Sequence, residues 1–144
     1  MIETMERFVL DANVFLGFLN KNDARHDRCL AFFQEIDNRH RKGERVQAVV
    51  PMHAASEVNV NMRRKKRNRT WTSFPPLQMV GPELYPIDLH FLNQIQQKGL
   101  YDKFDKLKSS DAIYAMVSYI EGIPLVTVDK DFEKVRDIID VRFI

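Results

Sequence analysis

Residues Ser109–Phe132, SSDAIYAMVSYIEGIPLVTVDKDF, read as a helix, a turn, a strand and a second turn, with an acid near each change of backbone type. Ser110 is placed to cap the helix, Asp111 falls in its first turn, and Gly122 is placed to close it. Ala112, Ala115, Met116, Tyr119 and Ile120 form a helical stripe whose small alanines let the helix approach a sheet closely. Pro124 opens Leu125-Val126-Thr127-Val128, an apolar β-branched run of the kind that forms a buried parallel strand. Asp129 stands at that strand's carboxyl end. Sites in open α/β sheets form outside such ends, so Asp111 and Asp129 are directed to one rim.

The opposite end of the chain repeats the pattern. Phe8-Val9-Leu10 reads as a short strand, Asp11 closes it, and Asn13 starts a helix carrying Val14, Phe15, Phe18 and Leu19. Two strand-terminal aspartates far apart in sequence are what a carboxylate cluster on one rim requires.

Between these ends, Arg25–Lys42 predicts a helix with Cys29, Phe32, Phe33 and Ile36 on one face and Gly43 at its end. Val46–Val50 predicts a strand, and Pro51 suits the first turn of a helix over MHAASEVNVNMRRKK. There Ala55, Val58 and Met62 form the apolar stripe, with His53, Glu57 and Asn61 on an adjacent polar one. Pro75-Pro76, Gly81-Pro82 and Pro86 break any long element between Asn68 and Pro86, so that stretch reads as a loop containing Trp71 and Phe74. Leu84–Ile87 predicts a strand, and Asp88 caps a helix with Leu89, Leu92 and Ile95 that Lys98-Gly99 ends. Tyr101–Lys108 reads as a charged connector. Phe132 and Val135 predict a short helix, and Ile138–Ile144 a last strand. The alternation argues for a three-layer α/β/α domain around a mostly parallel sheet of four to five strands.

The 144 residues fit a single domain, 1–144, with a basic, proline-containing insert near 63–86. No apolar run approaches the roughly 18 residues of a membrane helix, and the amino terminus lacks a signal-peptide core, so the expected compartment is the cytoplasm. The single Cys29 lies among core residues and reads as a packed thiol rather than a nucleophile. The net charge of +2 conceals an asymmetry. Six of the 22 basic residues, Arg63, Arg64, Lys65, Lys66, Arg67 and Arg69, sit in one acid-free run; the other 16 face 20 acids. A basic strip on an otherwise acidic domain suits a polyanion partner.

Asp11, Glu57, Asp111 and Asp129 come from four elements that such a fold brings to one rim. Four carboxylates share a dry site only with a counter-charge. All-oxygen ligation points to magnesium or manganese rather than zinc. His53 and Glu57 have the spacing of helical metal ligands, but no second histidine pairs with them. One or two hard cations there can activate water and stabilise a leaving oxygen in phosphodiester cleavage.

These residues carry a resemblance. VLDANVFL, ASEV and SSDAIYAMVSYIEGIPLVTVDKDF, in that order, resemble the PIN domain, in particular the small VapC-type toxins. The resemblance implies a metal-dependent endoribonuclease with Asp11, Glu57, Asp111 and Asp129 as its acids and Asp11, Asp111 and Asp129 as metal ligands. It also implies that Thr127 is the hydroxyl residue beside the metals and that Asp131 occupies a commonly acidic position. Asn13 and Ser110 read as helix-start residues that can orient ligands. The family is often dimeric and often silenced by a small antitoxin. Ala12 stands where threonine is frequent, and the 63–86 insert matches nothing in the family pattern.

Two other readings compete. Haloacid-dehalogenase-type phosphatases also place an aspartate after the first strand, but their acid two residues on is Asn13 here. A non-catalytic RNA- or protein-binding module on the same fold is the second.

Overall fold

In the computed structural model, which describes residues 5–64 and 81–144, the short apolar runs become strands and the periodic segments become helices. The strands are β1 (Glu6–Leu10), β2 (Val46–Pro51), β3 (Glu83–Tyr85), β4 (Leu125–Thr127) and β5 (Val141–Phe143). They form one sheet in the order β3-β2-β1-β4-β5, and every neighbouring pair is parallel. The helices are α1 (Ala12–Leu19), α2 (His26–Arg41), α3 (His53–Arg64), α4 (Leu89–Gln97), α5 (Leu100–Lys103) and α6 (Ser109–Glu121), with a 3-10 helix over Lys130–Val135.

All-parallel pairing explains why β2, β4 and the last three residues of β1 are apolar almost throughout. Such strands are covered on both faces, so Val9, Leu10, Ala48, Val49, Val50 and Leu125 are wholly buried. Right-handed crossovers put α1–α3 on one face and α4–α6 on the other. Consistent with this, α1 packs on α2 and α3, while α6 lies along β1, β2 and β4. β1 leads outward to β2, whereas β4 leads the opposite way to β5. The strand order therefore reverses between β1 and β4, and the crevice outside their carboxyl ends is the place a site is expected.

Local chemistry departs from the expectations at four places. The cap of α6 is Lys108, without a side-chain bond, so Ser110 lies inside the first turn rather than at the N-cap. Pro51 is not in a helical turn: it ends β2, paired with Tyr85, where its missing N–H costs little near the sheet edge. The connector before Ser109 contains α5, anchored by buried Leu100 and Phe104. On α6, Tyr119 is exposed, while Tyr114 and Val117 are wholly buried. Other signals hold: Asp88 accepts from Phe91 N–H at 3.0 Å, and Gly122 closes α6 at φ 64°.

The α1–α2 contact is close because residue 17 has no side chain. A Cβ there would stand 2.5 Å from Cys29 Sγ. Gly17→Ala should therefore cost about 1–3 kcal/mol of stability through overpacking. Introduced into a Cys29→Ala background, the same change should cost distinctly less, as read by denaturant unfolding. Equal losses in both backgrounds would show that Sγ is not the obstacle.

Candidate active site at the β1/β4 rim

The site starts with a carboxylate that has no access to water. Asp11 follows β1 and caps α1, and it is 0% exposed. Its Oδ1 accepts from Asn13 N–H at 3.3 Å, and its Oδ2 accepts from Asn13 Nδ2 at 3.3 Å. Thr127, the last residue of β4, donates its hydroxyl to the same Oδ2 at 2.8 Å. Thr127 Oγ1 also accepts from Asp129 N–H at 2.9 Å, so one hydroxyl ties the ends of two strands to the next acid. Asn13 Nδ2 reaches Asp129 Oδ2 at 3.4 Å as well.

Asp129 caps the 3-10 helix by accepting from Asp131 N–H at 2.9 Å. That turn returns the Asp131 side chain toward α6. Asp111, Asp129 and Asp131 each present a donor atom within 4.8 Å of the others. Asp11, expected to share this grouping, stands outside it and is held by Thr127 and Asn13. Asp131, which the resemblance marked only as a commonly acidic position, is a member.

Electrostatics reflect the crowding. Burial, with smaller contributions from Asp111 and Glu57, pushes the Asp11 carboxyl up to about 7 despite its Thr127 and Asn13 bonds. Burial also raises Asp111 to about 6, with Asp129 and Glu57 adding repulsion and Lys108 opposing it. Among the described residues, Lys134 reaches Asp131 at 4.0 Å from an exposed position, too loosely to neutralise the group.

Glu57 projects from α3 toward the same rim, held by a residue the sequence reading passed over. Tyr114, one α-helical turn after Asp111, is buried and accepts Ala12 N–H at 3.3 Å. It donates its own hydroxyl to Glu57 Oε2 at 3.2 Å. The three-residue spacing from Asp111 was the available signal, hidden because tyrosine also fits an apolar stripe. Burial raises the Glu57 carboxyl, and the Tyr114 and Ser110 hydroxyls oppose that rise. His53 Nε2 lies 3.2 Å from Ser110 O and 3.5 Å from Glu57 Oε1. Donation to that carbonyl requires the proton on Nε2, so His53 braces the start of α6 rather than offering that nitrogen to a metal. Arg63 and Arg64 end α3 and are exposed. Lys65, Lys66, Arg67, Arg69, Trp71 and Phe74 lie outside the described residues.

The family model described as PIN domain matches residues 8–138. The chain belongs to the PIN domain family. Solved structures agree on the fold. A toxin–antitoxin complex from Klebsiella pneumoniae aligns with a TM-score of 0.57 at 16% identity, covering 94% of this chain and 95% of that one. VapC20 of Mycobacterium tuberculosis, a toxin that cleaves the sarcin–ricin loop, aligns with a TM-score of 0.63 at 15% identity, covering 89% and 94%. VapBC2 from Rickettsia felis, bound to a promoter DNA fragment, aligns with a TM-score of 0.57 at 14% identity, covering 95% and 98%. No curated protein sequence matches the chain. No helix among the described residues is long and apolar enough to cross a membrane.

The donor set of this PIN domain suits a hard divalent cation: three carboxylates drawn together, all oxygen, with two further acids behind them and little counter-charge. Without one, the cluster should cost stability as its protons leave. Asp11 and Asp111 have raised folded values, so the native state keeps protons that the unfolded chain has released. Their favourable contribution is whole below the ordinary carboxylate range and is lost as pH rises through about 6 to 7. In chelator, denaturant melts at pH 5 and pH 7.5 should differ on this account by on the order of 1–3 kcal/mol, and Asp111→Asn should narrow the gap. An unchanged gap in the variant would show that Asp111 carries no such penalty.

Proposed function

We propose that the chain is a metal-dependent endoribonuclease acting as a single domain, with the β1/β4 rim as its active site. The observation that carries this is the meeting of Asp111, Asp129 and Asp131 within 4.8 Å at the point where the sheet order reverses. These three would hold magnesium or manganese. Asp11 has about four lone-pair positions, three of them taken by donors, so we assign it the role of a ligand or ligand-orienting acid behind the trio. A bound ion of this class supplies water activation and charge neutralisation at the leaving oxygen.

The chain's own residues supply the rest. Thr127 and Asn13 fix Asp11 and Asp129 relative to each other, so that the acids hold their positions when a phosphate approaches. Glu57, raised by burial and oriented by Tyr114, accepts a proton more readily than a solvated glutamate does. The phosphatase alternative finds no support: the Asp11 carboxylate is wholly buried, and Asn13 carries an amide where a proton donor would be needed.

Two of the similar structures described above are toxin–antitoxin assemblies, which supports the role of toxin in such a pair; as part of this reading the chain is silenced by a small protein and works as a homodimer. The basic run from Arg63 to Arg69 would engage the RNA backbone.

The test is cleavage of single-stranded RNA with magnesium or manganese, followed on denaturing gels. Asp111→Asn and Asp129→Asn should each lose about a hundredfold or more in rate while keeping the fold. Tyr114→Phe, which loses the hydrogen bond to Glu57 and the one accepted from Ala12 N–H, should lose about twofold to tenfold. Wild-type rates in either aspartate variant would remove the site; an inert wild type with every divalent ion would favour the non-catalytic binding module.

A further inference from the structure

Immediately beside Asp129 the surface opens into a cleft of about 440 Å3, lined by Arg25, Arg28, Val128, Asp129, Lys130, Glu133, Phe143 and Ile144. Its size falls within the roughly 300–1,000 Å3 of small-ligand sites. The lining is divided by chemistry. Val128, buried just after β4, and Phe143 and Ile144, at the end of β5, form an apolar floor. The Phe143 ring is held by the Arg136 guanidinium, 5.6 Å from its centroid.

Three cations, Arg25, Arg28 and Lys130, stand at the rim with the acids Asp129 and Glu133. Arg25 is paired with Asp23 through two bonds of 3.1 and 3.2 Å and stands as a fixed wall. Arg28 is exposed and commits one nitrogen, donating to Ile144 O at 3.0 Å, which aims the guanidinium at the floor and leaves its other N–H groups open. Lys130 is exposed and follows Asp129 directly.

We propose that this cleft is the subsite for the RNA nucleotide adjoining the bond that is cut: the base lies on Val128, Phe143 and Ile144, and its phosphate meets Arg28 and Lys130. The inference rests on the nuclease reading and adds the path of the substrate. Three features lead to it. The cleft shares Asp129 with the acidic trio, so a strand whose phosphate sits at the trio extends into it. An apolar floor beside the exposed cations Arg28 and Lys130 matches the two parts of one nucleotide, a stacking base and an anion. The volume admits a single splayed-out base and not a duplex, which selects single-stranded RNA. This basic ground lies beside β5 and α2, on different elements from Arg63 and Arg64 at the end of α3.

The experiment uses the full chain carrying Asp111→Asn, so that RNA is not consumed, and a fluorescent single-stranded RNA in chelator. Fluorescence anisotropy across a salt series gives Kd and its salt slope. Adding Arg28→Gln and Lys130→Gln should raise Kd about tenfold and reduce the log–log salt slope by about 1.4, two single-strand phosphate contacts. In the otherwise wild-type chain the same pair should raise KM and leave kcat within about twofold. Both side chains are exposed, and a melt comparison confirms folding. Arg41→Gln with Lys42→Gln, removing the same charge at the far end of α2, should leave Kd nearly unchanged. If Kd and slope do not move while the wild type cleaves RNA, the cleft is off the path and the nuclease reading stands. If the control pair weakens binding equally, only net charge is being read and the subsite is refuted. If the wild type neither binds nor cleaves RNA, both readings fall.

Discussion

The hydrogen bond from Thr127 to Asp11 holds the site together. It joins the carboxyl ends of two adjacent parallel strands, β1 and β4, through side chains with no exposure to solvent. Because Thr127 also accepts from Asp129 N–H, the bond orders the turn after β4 and sets where Asp129 and Asp131 project. A buried carboxylate is tolerated only where donors surround it, and Asp11 has three. The rest of the rim follows from that arrangement.

Parallel pairing is the condition behind it. With β1 and β4 adjacent and their crossovers diverging, α1 and the 3-10 turn both begin at the same crevice, each capped by an aspartate. The caps satisfy orphan helix N–H groups while leaving carboxylate oxygens directed at the rim. Tyr114 of α6 then extends the constraint to the helices of the opposite face: it bonds the start of α1 and Glu57 of α3. Capping, strand pairing and one buried hydroxyl thus place five acids with little charge compensation. That imbalance is what the proposed cation would relieve.

Much of this was legible in the sequence, because the strand-end acids are marked by abrupt changes of period. LVTVD and FVLD read as buried strands closed by an acid, and their common rim follows from parallel topology alone. Less legible were effects that depend on packing across sequence. Tyr114 fits an apolar stripe as well as a polar bridge, and only the approach of Ala12 and Glu57 separates the two. Asp131 is one acid among several in the sequence until the Asp129-capped turn carries it to Asp111. Pro51 reads as a helix starter until its pairing with Tyr85 keeps it in β2. The short helix α5 depends on burial of Leu100 and Phe104, which a charged stretch does not announce.

The central claim is that the carboxylates at this rim form a site for a hard divalent cation. Calorimetric titration of the metal-free chain with manganese, beside the same titration of Asp129→Asn, tests it most directly. The account predicts saturable binding by the wild type, a higher Tm once bound, and affinity at least about tenfold weaker in the variant. No binding, or binding of equal strength in Asp129→Asn, would contradict it.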